Sequence, residues 1–190
     1  MHVLLIDNYD SFTYNLVQLL RESGVVHQLT MITNDTPIND LPDDIDKVLV
    51  SPGPGLPEEA ANLMQLIAHY IPSHPILGIC LGHQAIATSY GARLIQKDTC
   101  FHGFSSAVYY HDNQDYLYRG VPEGFSCGRY HSWLVDNESL SDEMEVTATD
   151  AAGNIMAIRH KRNDIRGLQF HPESFITRHG QQIIRNWMMH

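Results

Sequence analysis

Long apolar runs are missing from this chain of 190 residues. No stretch approaches the ~20 consecutive apolar residues that a membrane-spanning helix needs. A secretory leader is not expected either, because Met1-His2-Val3-Leu4-Leu5-Ile6-Asp7 has no basic segment and its apolar run breaks at Asp7. Cysteine is scarce. Cys80, Cys100 and Cys127 form no CxxC pair and, being three, cannot all pair within one chain. That count argues against a disulfide framework or a thiolate zinc site and for a reducing, cytoplasmic setting. Positive charge is short as well: 12 Lys and Arg stand against 22 Asp and Glu, a formal net charge of -10, the wrong sign for a nonspecific nucleic-acid binder. Repeats, low-complexity tracts and linkers are absent, so the chain reads as one domain of residues 1–190.

What is present suits a packed globule. The hydrophobic fraction is 43% and the charged fraction 18%, and a chain of this length buries roughly 70% of its unfolded surface on folding. Apolar runs at Val3 to Ile6, Val25 to Ile32, Lys47 to Ser51 and Ile76 to Ile79 read as strands. Stripes at Phe12, Leu16, Leu19 and Leu20, and at Leu63, Leu66, Ile67 and Tyr70, have helical spacing. A further helix is expected from about Leu81 to Gly91. Strands alternating with helices imply a parallel sheet covered on both faces. The second half changes character. Ser105 to Tyr110, Phe125 to Arg129, Trp133 to Val135, Glu145 to Ala148 and Ile155 to His160 are short strand candidates between Gly, Asn and Asp turns, which suggests antiparallel additions. Ile165 to Phe170 reads as the last strand, followed by a helix carrying Ile176, Gly180, Ile183, Ile184 and Trp187. The expected fold is α/β, flavodoxin-like and doubly wound, with a mostly parallel sheet and antiparallel additions in the second half.

Chemistry concentrates at Gly78-Ile79-Cys80-Leu81-Gly82, where a strand turns sharply into a helix. Taken alone, a cysteine between Ile and Leu is a small buried hydrophobe. Glycines two residues to either side point instead to a nucleophile elbow, in which a Cβ at those positions would strike the neighbouring strand and helix. The helix N-terminus, with its positive dipole end and unpaired amides, favours a thiolate there. A nucleophilic thiol needs a base, and the base needs an orienting group. Phe170-His171-Pro172-Glu173-Ser174 offers both directly after the last strand. Most of the 12 histidines read as solvated surface residues, and no HExxH or comparable ligand spacing suggests a metal. Ser51-Pro52-Gly53-Pro54-Gly55 follows another parallel strand, hence at the same sheet edge. With Leu81, its Gly53 amide can form an oxyanion hole, since proline has no N–H to offer.

Taken together, Asp7-Asn8-Tyr9-Asp10-Ser11-Phe12-Thr13-Tyr14-Asn15, Ser51 to Gly55, Gly78 to Gln84, Arg129-Tyr130-His131-Ser132 and Phe170 to Ser174 resemble, in order and over nearly the whole chain, the class I (triad) glutamine amidotransferases. Within them the chain is similar to the glutaminase subunits of anthranilate synthase and aminodeoxychorismate synthase. The resemblance implies a γ-glutamyl thioester on Cys80, with His171 as base and then acid and Glu173 orienting it. It further implies a glutamine pocket formed by Gly53, Pro54, Gly55, Gln84, Ser132 and Trp133. Ammonia would pass to a chorismate-binding synthase subunit, and no cofactor or metal is implied in this chain. Phe101-His102-Gly103-Phe104 is similar to a family loop that usually reads Met-His-Gly-Lys, with Phe104 in place of lysine where the partner subunit is expected. The competing readings are a self-sufficient thiol hydrolase and a noncatalytic binding subunit. A scaffold would have no physical need for Cys80, His171 and Glu173 together.

Overall fold

The computed structural model describes residues 1–97 and 103–190. Its parallel half is laid down by β1 (His2–Asp7), β2 (Gln28–Thr33), β3 (Lys47–Val50) and β4 (Ile76–Ile79), with helices α1 (Thr13–Glu22), α2 (Leu63–Tyr70) and α3 (Leu81–Ser89) between or after them. The rest comprises β5 (Leu94–Gln96), β6 (Phe104–Tyr110), β7 (Phe125–Arg129), β8 (Trp133–Val135), β9 (Met144–Thr149), β10 (Ile155–His160), β11 (Ile165–Leu168) and α4 (Gly180–Met189). The main sheet runs β2-β1-β3-β4-β11-β10-β9-β6-β7. Strands β2, β1, β3, β4 and β11 are parallel, and β10, β9, β6 and β7 extend the sheet antiparallel. The parallel part has the flavodoxin order, with β11 as its fifth strand. Strands β5 and β8 pair separately.

Alternation along the central strands explains the layering. Val3 and Leu5 of β1 face one side, packing with Leu16 and Leu20 of α1 and Ile183, Ile184 and Trp187 of α4. Leu4 and Ile6 face the other, with Leu66 and Ile67 of α2 and Ile86 of α3. All four residues of β3, β4 and β11 are buried, as expected of parallel strands sealed on both faces.

The elements depart from the sequence expectations where pairing or caps decide. Strand β2 begins at Gln28 rather than Val25 because its neighbour in the sheet, β1, begins at His2, which pairs with Gln28. Val25 and Val26 still pack against the core as partly buried side chains. The last strand stops at Leu168, opposite the end of β4 at Ile79. Helix α4 starts at Gly180, so Ile176 lies before it in the turn after Glu173. Strand β5 was not foreseen from the sequence. No described helix is long and apolar enough to cross a membrane.

Candidate active site

The carboxyl ends of β1, β3 and β4 open on one cleft of about 360 Å³, lined by Tyr9 to Phe12, Pro52 to Pro54, Cys80, Tyr130 and His171. A crevice at the strand C-termini beside the β1/β3 reversal is where doubly wound sheets bind ligands. Cys80 occupies the N-cap of α3 with φ 51° and ψ -99°, a strained conformation for a residue bearing a Cβ. Its neighbours explain how the chain tolerates so tight a turn. A Cβ at Gly78 would collide with the Gly82 and His83 backbone, and one at Gly82 would lie 2.7 Å from the Val50 carbonyl oxygen. Both glycines therefore let α3 sit directly on β3 and β4.

His171 is delivered by the chain leaving β11. Its backbone N–H donates to Gly128 O of β7 over 3.0 Å. Thr177 ties the same segment down, donating from Oγ1 to His171 O over 2.6 Å and accepting from Gly128 N over 2.9 Å. The imidazole packs against a pair of touching aromatic rings, with Tyr130 at 4.9 Å and Phe12 at 6.0 Å between ring centroids. Nδ1 donates to Glu173 Oε1 over 2.6 Å. Because an ionised carboxylate only accepts, that bond fixes the tautomer and leaves Nε2 as the titrating nitrogen. Cys80, His171 and Glu173 are 5%, 2% and 7% exposed. Burial works against a charged imidazole, but the charge of Cys80, followed by the hydrogen bond and charge of Glu173, raises the His171 pKa well above its ordinary value. The site thus favours the protonated imidazole of His171.

The loop after β3 is held from β1. Asn8 donates from Nδ2 to Ser51 O over 2.8 Å, while its backbone N–H donates to Ser51 Oγ over 2.8 Å. Asn34 in turn donates to Asn8 Oδ1 over 3.1 Å. Gly53 fits into what remains: a Cβ there would lie 2.5 Å from Asn8 Cβ and 2.7 Å from Leu81 Cδ2. The residues expected to supply oxyanion donors, Gly53 and Leu81, are therefore packed closely together, although Leu81 does not itself line the cleft.

Of the residues expected to bind glutamine, Gly53 and Pro54 line the cleft, while Gly55, Gln84, Ser132 and Trp133 do not. Gln84 is buried beneath it, donating from Nε2 to Trp133 O over 2.9 Å and to Gln169 Oε1 over 3.2 Å. Ser132 accepts from Lys97 N through its carbonyl. Sequence reasoning missed Phe12 and Tyr130 as walls of the base, and Gln169 and Thr177 as supports. The signal for Gln169 was available, since it stands two residues before His171 on the same strand path. Cys100, Phe101 and His102 lie outside the described residues. Phe104 is 54% exposed. Among the described residues no group of His, Cys, Asp or Glu is arranged to hold a metal ion.

Residues 4–190 match the family model described as glutamine amidotransferase class-I. The chain is 42% identical over 191 residues to anthranilate synthase component 2 of Pyropia yezoensis, covering 98% of each protein. It is 41% identical over 188 residues to the aminodeoxychorismate/anthranilate synthase component 2 of Bacillus subtilis, covering 98% of this chain and 95% of that one. Among solved structures, one described as a GMP synthase protein of Thermoplasma acidophilum superposes with a TM-score of 0.86 at 27% identity, over 100% of this chain and 92% of that one.

Proposed function

This chain belongs to the class-I glutamine amidotransferases, and within them to the component 2 family of anthranilate and aminodeoxychorismate synthases, and we propose that it is the glutaminase of an anthranilate synthase. It releases ammonia from glutamine through Cys80, His171 and Glu173 and passes it to a chorismate-binding synthase subunit, for tryptophan formation. The observation that carries this reading is the strained Cys80 elbow facing an imidazole whose other nitrogen is held by Glu173.

The chemistry follows from that arrangement. The Cys80 thiolate attacks the γ-carboxamide carbon of glutamine, and the carbonyl electron pair moves to oxygen, which the Gly53 and Leu81 amides receive. His171 Nε2, carrying the thiol proton, gives it to the amide nitrogen. The C–N bond then breaks, ammonia leaves, and a γ-glutamyl thioester remains. Water attacks the thioester carbonyl carbon and gives a proton to Nε2. The carbonyl re-forms as the C–S bond pair returns to sulfur, and the new carboxylic acid gives its remaining proton to solvent, releasing glutamate and regenerating the thiolate–imidazolium pair. Gly53 and Pro54, which line the cleft, hold the glutamine, and Gly55, Gln84, Ser132 and Trp133, which do not line it in the free chain, complete the pocket once glutamine is bound. Residues 1–190 work as one domain in the cytoplasm, where a catalytic thiol stays reduced.

A second reading has its own support. The Bacillus subtilis relative carries both synthase names, and on that reading this chain is the glutaminase of aminodeoxychorismate synthase, in the folate pathway, or of both enzymes. Copurification of the native complex and identification of its amino product from chorismate separates these cases. Cys80→Ser tests the chemistry itself. Glutamine-dependent synthesis by the complex is expected to vanish while ammonia-dependent synthesis persists, because an alkoxide is much harder to generate with the same base. Equal loss of both activities would rule out an ammonia-donating role.

A further inference from the structure

Gln169 lies next to the nucleophile for a reason set by strand register. Leu168 of β11 pairs with Ile79 of β4, and Cys80 N donates to Leu168 O over 2.8 Å. The following residues, Gln169 and Cys80, are therefore neighbours where the two strands end. Gln169 is fully buried, and its Nε2 donates to Cys80 Sγ over 3.7 Å.

The orientation of that amide is not arbitrary. Trp133 O can only accept, so Gln84, which bonds it over 2.9 Å, must present Nε2 there. The same Nε2 reaches Gln169 Oε1 over 3.2 Å, which leaves the Gln169 NH2 group facing the sulfur. Trp133 O is itself held by His131 Nδ1 over 3.0 Å. His131 Nε2 accepts from Arg129 Nε over 3.3 Å, so its proton sits on Nδ1. Arg129 is buried and paired through Nη1 with Asp150 Oδ2 over 2.6 Å. Burial, then the Arg129 charge, pushes the His131 pKa down to about 3, so its ring stays neutral and the tautomer holds. Each group in this chain of contacts thus has a fixed donor sense, and the last donor faces Cys80.

We infer that Gln169 is a further catalytic residue, whose side-chain amide donates to the Cys80 sulfur whenever that sulfur carries negative charge, and that Gln84, His131, Arg129 and Asp150 are positioning residues for it. The inference rests on the proposed glutaminase reaction for its meaning. There the donor acts on the resting thiolate and again on the sulfur that receives the C–S bond pair as the thioester breaks down. A hydrogen bond to a charged acceptor is stronger than to a neutral one, so the contact favours the states in which sulfur is an anion.

The test is the pH dependence of Cys80 alkylation by iodoacetamide in the full chain, with the site of reaction mapped by mass. Gln169→Met keeps the length and removes the donor. It is expected to move the rising limb of the profile to higher pH by about one unit, a ~10-fold slower reaction at fixed pH on that limb. Gln169→Glu keeps the shape and sets a carboxylate beside the sulfur, and its limb is expected to move further in the same direction. A profile superimposable on that of the native chain, in whichever variant folds with native circular dichroism, would overturn the inference. A merely structural role would lower the melting temperature without moving the limb. Alkylation needs neither glutamine nor partner. A shifted profile in a chain that hydrolyses no glutamine even with its synthase partner would therefore sink the proposed function and leave the Gln169–Cys80 hydrogen bond standing.

Discussion

The imidazole of His171 donates from Nδ1 to Glu173 Oε1 over 2.6 Å, across the single intervening Pro172. That bond decides which nitrogen is left for Cys80. In Glu173→Gln the side-chain carbonyl can still accept, but the negative charge that helps to hold the imidazolium is gone. Glutaminase kcat of the complex is expected to fall on the order of 10²–10⁴-fold with little change in KM, because orientation and charge act on the transition state more than on bound glutamine. Steady-state kinetics decide it. A loss confined to KM would place Glu173 in substrate binding.

Selective modification follows from the different surroundings of the thiols. Cys127 is fully buried, and burial pushes its pKa up to about 11, so it is nearly all thiol at neutral pH. Cys80 caps a helix and adjoins His171. A glutamine-like electrophile is expected to label Cys80 and to spare Cys127. Peptide mapping showing primary modification at another cysteine would count against Cys80 as the nucleophile.

Much of this arrangement was legible in the residues. The parallel half could be read because its strands are buried on both faces and therefore stand out as short apolar runs, and because α1 and α2 carry clear stripes. The elbow could be read because a Cβ has no room at Gly78 or Gly82. Other features depend on facts that local sequence does not hold. The start of β2 is set by where its partner strand begins, and β5 has only Leu94, Ile95 and Gln96 to announce it. Phe12 has the spacing of a helix face, yet it packs on Tyr130 and His171, more than a hundred residues away in the chain. The amide orientation of Gln169 needs the whole path from Asp150, which only tertiary packing assembles.

The close approach of α3 to β3 predicts an effect on both stability and rate. In Gly82→Ala the new Cβ would meet the Val50 carbonyl oxygen at 2.7 Å and Val50 Cβ at 2.9 Å. Helix α3 must move away from the sheet, and overpacking of this kind costs about 1–3 kcal/mol. The same movement carries Cys80 and the Leu81 amide off their positions. Urea unfolding should show a lower midpoint, and kcat should fall more than about tenfold, since an ångström of misplacement is costly in catalysis. Unchanged values for both would mean that the elbow has more slack than its packing indicates.

Stability should also respond to pH with a definite sign. Burial pushes His83 and His131 down to about 3 from an ordinary value of 6.5. Between those values the unfolded chain binds protons that the native chain refuses, so stability falls as pH drops from about 6.5 toward 3. His171 behaves oppositely, because its pKa is raised above 6.5. Its contribution is complete below 6.5 and is lost as pH rises through the higher native value. Urea midpoints measured across the acid range should therefore fall less steeply in His131→Gln than in the native chain. Parallel slopes would show that His131 is not held neutral by its burial.

The cleft mouth predicts that the isolated chain is a poor glutaminase and that its synthase partner raises the rate. Ammonia released before docking would protonate in solvent and be lost to the synthase, so control of the hydrolysis step has a clear chemical use. The site offers a point of control. Gly53 is clasped between Asn8 and Leu81, and Asn8 is bonded to Ser51 on the same loop. Any reorientation of the Gly53 peptide must therefore be driven through the segment that holds Asn8. The next residue, Tyr9, lines the cleft, is 61% exposed and has a φ of 60°, which gives a docking partner something to press on. By contrast, Leu81 is fixed as the first residue of α3. If docking turns the Gly53 N–H toward the developing oxyanion, the gain should resemble restoration of one donor, on the order of 100-fold to 1,000-fold in kcat. Turnover at saturating glutamine is to be compared for the isolated chain, the complex, and the complex with chorismate. Identical rates in all three would refute gating and favour a self-sufficient hydrolase. A gain in KM alone would instead assign the effect of docking to the glutamine pocket around Gln84, Ser132 and Trp133, and the oxyanion mechanism would fall.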